Sequence, residues 1–209
     1  MSRPSPGSRS RARHPLARLL VAAATLLTLV ATACSAPADP SASPERLSRA
    51  DDQVSSSVPP VRTKVKIHRV HGRLPEPRRK AVRREVGAVV DGWWDAAYLG
   101  GTYPRSSFPQ AFPGFTVGAQ KRARADKSLL TNQTGSQRID SVRALRKSVA
   151  LDILATGRRA RTATAHVRLR FEVAGAKSGT TTVRGRLFLV RSRGQWRVFG
   201  YDVAKGNER

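Results

Sequence analysis

From residue 140 to the end of the chain, apolar residues fall at every second position, and this rhythm limits the fold more than any other feature. Val149, Leu151 and Ile153 alternate with other residues until Thr156-Gly157-Arg158-Arg159 breaks the run. Ala163, Ala165, Val167, Leu169, Phe171 and Val173 continue it as far as a Gly-flanked break at 175–179. Val183, Leu187 and Leu189 follow, then Arg193-Gly194, then Trp196 and Val198. A period of two places one set of side chains on one face of a strand. Four runs joined by three turns predict a four-stranded antiparallel meander.

Ahead of the meander the period changes. Val82, Val86, Val89, Val90, Trp93, Trp94, Ala97 and Tyr98 recur at steps of three and four, which predicts a helix over 76–99. Pro75 and Pro77 suit its first turn and Gly100-Gly101 its end. Trp93 and Trp94 lie about 100° apart on such a helix, so one is expected deep and the other at the stripe edge. Residues 104–115 read as a loop whose Phe108, Phe112 and Phe115 cap a core or a cavity mouth. Residues 116–130 read as a second helix with Thr116 as its N-cap. At 61–71, Val61, Thr63, Val65 and Ile67 alternate with Arg62, Lys64, Lys66 and His68, which predicts a strand with one wet face. His68 and His71, three apart on a strand, point to opposite faces and do not form a metal pair.

The N-terminal third has a different character. Arg3, Arg9, Arg11, Arg13 and Arg18 precede an apolar run from Leu19 to Val30, and Ala31-Thr32-Ala33 leads into Cys34, the only cysteine. A basic region, a short apolar region and small residues form a secretory signal. The apolar run falls short of the about 20 residues that a membrane span needs. The segment resembles a bacterial lipobox, with Ala31 where Leu is usual. That resemblance implies cleavage after residue 33 and acylation of Cys34, and so a lipid-anchored protein on the outer side of the cytoplasmic membrane. A lone cysteine also leaves no internal disulfide and no thiolate metal site. Residues 34–60, rich in Ser, Pro, Ala and Asp, are expected to be a tether. The expected organisation is therefore signal 1–33, tether 34–60 and one basic domain, 61–209.

That domain holds 32 Lys and Arg against 10 Asp and Glu, a net of +22. Inside a cell such charge would point to nucleic acid. An exported, tethered protein meets anionic headgroups or wall polymers instead, so the expected partners are a membrane, anionic polymers or a protein, and not nucleic acid. The competing reading is compositional, with the arginines merely solvated.

A long amphipathic helix, further helical material and a run of antiparallel strands ending in Gly194-Gln195-Trp196-Arg197-Val198 resembles the nuclear-transport-factor-2-like superfamily. The resemblance covers about 76–204 and implies an α+β fold, a cone of curved antiparallel sheet of four to five strands around a long helix. The strand at 61–71 departs from that plan. Family enzymes place polar groups inside the cone, and Asp91, Asp95, Tyr98, Tyr103, His166, Tyr201 and Asp202 are the candidates for such a role. Trp93, Trp94, Tyr98 and Asp202 make the candidate pocket, because Asp202 shares the parity of the inward Trp196 and Val198. None of these forms a Ser-His-Asp order, a metal cluster or a phosphate loop, so no catalytic residue, cofactor or metal is assigned.

The other face of the meander gives the second candidate site. Matching apolar faces places Val167 opposite both Val149 and Leu187, and the Arg193-Gly194 turn places Leu189 opposite Val198. These registers align Arg146, Arg170 and Arg184, and also Ser148, Arg168, Arg186 and Tyr201. Phe188, Phe199 and Val190 share the face. Crowded arginines beside aromatic rings describe either a contact surface or a wet face with splayed side chains. Three functions follow. The first is a non-catalytic accessory lipoprotein. The second is a polyketide cyclase- or isomerase-like enzyme acting on an apolar substrate. The third is a docking subunit of an envelope transport complex.

Overall fold

The computed structural model describes residues 60–176 and 178–208. The signal 1–33, the acylation candidate Cys34 and the tether up to residue 59 lie outside the described residues. Five strands, β1 (Lys64–His71), β2 (Ser141–Thr156), β3 (Arg159–Ala174), β4 (Gly179–Ser192) and β5 (Gln195–Glu208), form one sheet in the order β1-β2-β3-β4-β5. Three helices lie between β1 and β2: α1 (Glu76–Trp94), α2 (Val117–Ala125) and α3 (Lys127–Leu130). The architecture is α+β with a mixed sheet.

The meander is present with all its turns, but the sheet is not wholly antiparallel, because β1 lies parallel to β2 along its edge. Parallel neighbours need a crossover rather than a hairpin. All the helical material between β1 and β2 supplies that crossover. The partner of β1 is therefore settled by tertiary packing, and the alternation within 61–71 is silent on it.

The helix occupies the expected span, but its last turn, Asp95–Leu99, is π-helical and ends at Gly100. Its stripe lies on the sheet, touching β1, β3 and β5. Trp93 and Trp94 are both fully buried, and neither sits at an edge. The 104–115 loop covers α1 on a second side. A Cβ on Gly114 would come within 2.9 Å of Val89 Cγ1, and one on Gly92 within 3.9 Å of Pro113. Sheet and loop together enclose a wider arc of helix than one stripe. The aromatic rings pack in sequence, Trp93 with Tyr98 at 5.7 Å, Trp93 with Phe115 at 6.1 Å and Tyr98 with Phe171 at 5.8 Å. Thr116 caps α2 by accepting from the Ala119 amide.

Candidate anionic interface

The sheet has one face under α1 and one in solvent. On the solvent face the register forms cross-strand rows. Lys64, Ser148, Arg168 and Arg184 lie side by side across four strands. On one side of that row Arg146 faces Arg170, which faces Thr182. On the other side come Lys66, Ala150, His166, Arg186 and Asp202.

These rows correct the expected ones. Val149 does face Val167, and Leu189 does face Val198. Val167, however, faces Gly185, and Leu187 faces Ala165, a slip of two residues. Arg184 therefore stands opposite Arg168, and Arg186 opposite His166. A slip of two keeps every side chain on its own face, so apolar matching cannot detect it. The connection decides it, because Val173 pairs with Gly179 across residues 174–178. At the inward position facing Val167 stands Gly185, with φ +148°, where a Cβ would meet the Asp202 carbonyl oxygen at 2.1 Å. Only glycine allows β5 so close.

A second correction concerns Tyr201 and Asp202. The pairing passes from Leu189–Val198 to Phe188–Gly200, leaving Phe199 as an extra residue in β5. Such a bulge reverses the parity of everything after it. Tyr201 turns inward, opposite Leu187, with its ring 6.4 Å from Phe115 and its hydroxyl donating to Asp126 Oδ2 at 2.7 Å. Burial, then the hydrogen bond and charge of Asp126, push the phenol up to about 12. Asp202 turns outward and pairs with Arg186 at 2.5 Å.

The candidate pocket does not assemble. Asp202 is on the far face from Trp93, Trp94 and Tyr98, all of which are buried in the core. Tyr98 donates to the Leu129 carbonyl at 2.9 Å, and burial raises its pKa well above the phenol range. Tyr103 donates to the Tyr98 carbonyl at 2.7 Å. Burial raises its pKa too, against the opposing pull of Asn132 and Arg105. Asp91 accepts from Thr63 Oγ1 at 2.6 Å and pairs with the Lys147 ammonium. Asp95 is exposed, and its backbone carbonyl closes the π turn. Buried Thr131, Asn132, Ser136 and Thr181 are each engaged in hydrogen bonds. The indole N–H groups of Trp93, Trp94 and Trp196 are buried donors without a partner among the described residues.

The electrostatics of the solvent face follow from where its carboxylates are engaged. Glu172 pairs with Arg143 at 2.5 Å and Asp202 with Arg186. Asp152 lies between two imidazoles, with His68 Nδ1 and His166 Nε2 each 2.8 Å from one of its oxygens. Desolvation raises the Asp152 pKa, but the two histidine contacts outweigh it and hold the carboxyl below its usual range. Among the described residues no group of three or more His, Cys, Asp and Glu could hold a metal ion. Arg146, Arg168 and Arg184 are left without a carboxylate partner among the described residues. Like charges this close repel, and they are stabilised when an anion lies against them.

Beyond the cations the face becomes apolar. Phe188 and Phe199 pack with tilted rings and centroids 6.4 Å apart, Phe199 is 45% exposed and Leu154 is 49% exposed. The Arg186 guanidinium lies 5.8 Å from the Phe188 ring. Lys64 and Lys66, which extend the basic surface, escaped sequence reasoning. Their alternation was legible, but the strand beside them was not. No family model, curated protein or solved structure matches the chain.

Proposed function

We propose that this chain is a non-catalytic accessory lipoprotein, held to the outer side of the cytoplasmic membrane through Cys34. Its 61–209 domain presents the solvent face of the sheet to an anionic surface. The cluster of Arg146, Arg168 and Arg184 across β2, β3 and β4, without carboxylate partners among the described residues and flanked by Lys64 and Lys66, carries the reading. Phe199 and Leu154 at its border suit insertion among headgroups or contact with a protein. The fold is read as nuclear-transport-factor-2-like, with β1 added at the edge. The helix laid across the meander supports this. An interior filled by Trp93, Trp94, Tyr98 and Phe115 favours the binding role over the cyclase-like enzyme.

Two measurements test it. Fatty-acid labelling of the wild-type chain, lost in Cys34→Ala, is expected; equal labelling of both, or none of either, removes the anchor. Co-sedimentation of the 61–209 fragment with anionic vesicles is expected to fall steeply with salt, since the Debye length shrinks from about 10 Å at 0.1 M to about 3 Å at 1 M. Each basic group near such a surface contributes about 1 kcal/mol. Reversing Arg146, Arg168 and Arg184 to Glu should therefore weaken binding by about a hundred-fold or more. Binding that ignores salt, or survives the reversal with the fold intact, overturns the interface.

A further inference from the structure

At the end of the sheet that holds the β2–β3 and β4–β5 turns, a cleft of about 400 Å³ opens between α1 and the strand ends. Arg78 of α1, Arg159 and Arg161 of β3 and Arg191 of β4 surround it, and the rest of its lining is Ala81, Val82 and Ala160. Among the described residues no carboxylate lines it. This size falls in the range of small-molecule sites, about 300–1,000 Å³.

The backbone here is built in an unusual way. In a regular strand Arg159 and Arg161 would share a face and Ala160 would take the other. Instead the pairing passes from Leu154–Thr162 to Ala155–Ala160, leaving Arg161 as an extra residue. A bulge bends a strand and re-aims its side chains. Through it, three consecutive residues line one cleft. Arg78 is held in place by a hydrogen bond to the carbonyl of Arg158, whose φ is +61° in the adjoining turn. Arg191 reaches Glu85 at 3.7 Å, a pair with one side in solvent. Arg159 and Arg161 have no side-chain partner among the described residues.

We infer that this cleft binds a phosphomonoester carrying a short apolar group. The guanidinium fork matches the spacing of phosphate oxygens, and several forks around one space suit a group whose three terminal oxygens share about two negative charges better than a single carboxylate. Ala81, half-buried at the wall beside the buried Val82 and Ala160, gives a short apolar portion a dry contact. The site lies apart from the solvent-face arginines and does not depend on their role.

The phosphate can come from a soluble ester or a lipid headgroup, and the test separates them. The full chain, reconstituted in phosphatidylcholine vesicles at constant ionic strength, is titrated with inorganic phosphate and with hexyl phosphate, followed by phosphorus-31 line broadening. A third arm measures phosphatidic acid placed in the vesicles. Saturable binding is expected, with hexyl phosphate about ten-fold tighter than inorganic phosphate. Arg159→Ala with Arg161→Ala should weaken it at least about ten-fold. Arg124→Ala with Arg138→Ala, an equal loss of exposed charge outside both this cleft and the solvent face of the sheet, should leave it unchanged. Ala81→Phe keeps every charge and should weaken hexyl phosphate more than inorganic phosphate, so the site stays testable if the arginine pair disturbs folding. Dependence of the phosphatidic acid arm on Arg159 and Arg161 identifies a lipid source, and dependence of the soluble arm alone a free ester; either supports the site. Equal weakening by both arginine pairs, or no preference for hexyl over inorganic phosphate, overturns it.

Discussion

Along β3 every odd-numbered residue from Ala163 to Val173 is buried, while His166, Arg168 and Arg170 between them stand in solvent. The two faces share one backbone and one set of hydrogen bonds, yet they answer to different physics. The inner face is close-packed, so each side chain is constrained by its neighbours' volumes. The outer face is constrained mainly by charge, and charge in water is a weak constraint on folding. Substitutions inside should therefore cost stability whatever their charge. Substitutions outside should cost binding and little else.

The largest effect is expected at the helix stripe. Trp93→Ala and Trp94→Ala each remove a fully buried indole and should cost about 3–5 kcal/mol. Thermal melts of the two variants should show similar losses, because both rings are enclosed. A Trp94 variant that melts like the parent would mean that this indole is not part of the packed core.

Next is Gly185, where the inner face is a backbone contact. Its φ of +148° and the approach of the Asp202 carbonyl leave no room for a Cβ. Gly185→Ala should cost about 1–3 kcal/mol, the range for overpacking, by forcing β5 away from β4. Denaturant unfolding measures it directly. An unchanged midpoint would argue for the register that places Leu187 opposite Val167.

What the sequence made legible divides along the same line. Parity is local, so the strands, their turns and the inward residues of β2, β3 and β4 were readable, as was the stripe from Val82 to Tyr98. Register is not local. The slip between β3 and β4 preserves parity, and the position of Val173 opposite Gly179 depends on the conformation of the connection. The bulge at Phe199 left one trace, an isolated Gly200 within a strand, which is a recognised mark of a bulge. Missing it put Asp202 in a pocket and Tyr201 on the arginine face. The partner of β1 left no trace, since a parallel edge strand pairs across a whole crossover.

A smaller stability effect, but a large functional one, is expected outside. Replacing Arg146, Arg168 and Arg184 by Gln removes repulsion between uncompensated cations. Stability should stay within about 0.5 kcal/mol per site, the usual range for surface changes, or rise slightly. Vesicle binding should nevertheless weaken sharply. Melts and co-sedimentation on the same samples would separate the two faces, and a large loss of stability would show that these side chains also support the fold.

The smallest effect is expected at Asp152, where the outer face comes nearest to a structural role. Its carboxylate joins three strands, taking His68 from β1 and His166 from β3, with Arg69 as its backbone neighbour across the β1–β2 pair. Its pKa is lowered in the folded protein. A group held below its unfolded value, about 3.9 for Asp, contributes stability that is complete above that value. The contribution is lost as pH falls through the folded value, where protonation removes the charge that both imidazoles face. As pH drops below the unfolded value of about 3.9, the wild-type melting temperature should therefore fall more steeply than that of Asp152→Asn, which has no proton to gain. Above pH 5 the variant should be the less stable of the two, by no more than the about 0.2–1 kcal/mol of a solvent-screened pair. Parallel curves across the acid range would show that water screens the carboxylate fully. In that case β1 is held to β2 by its backbone hydrogen bonds and by Val65, Ile67 and Val70 on the inner face.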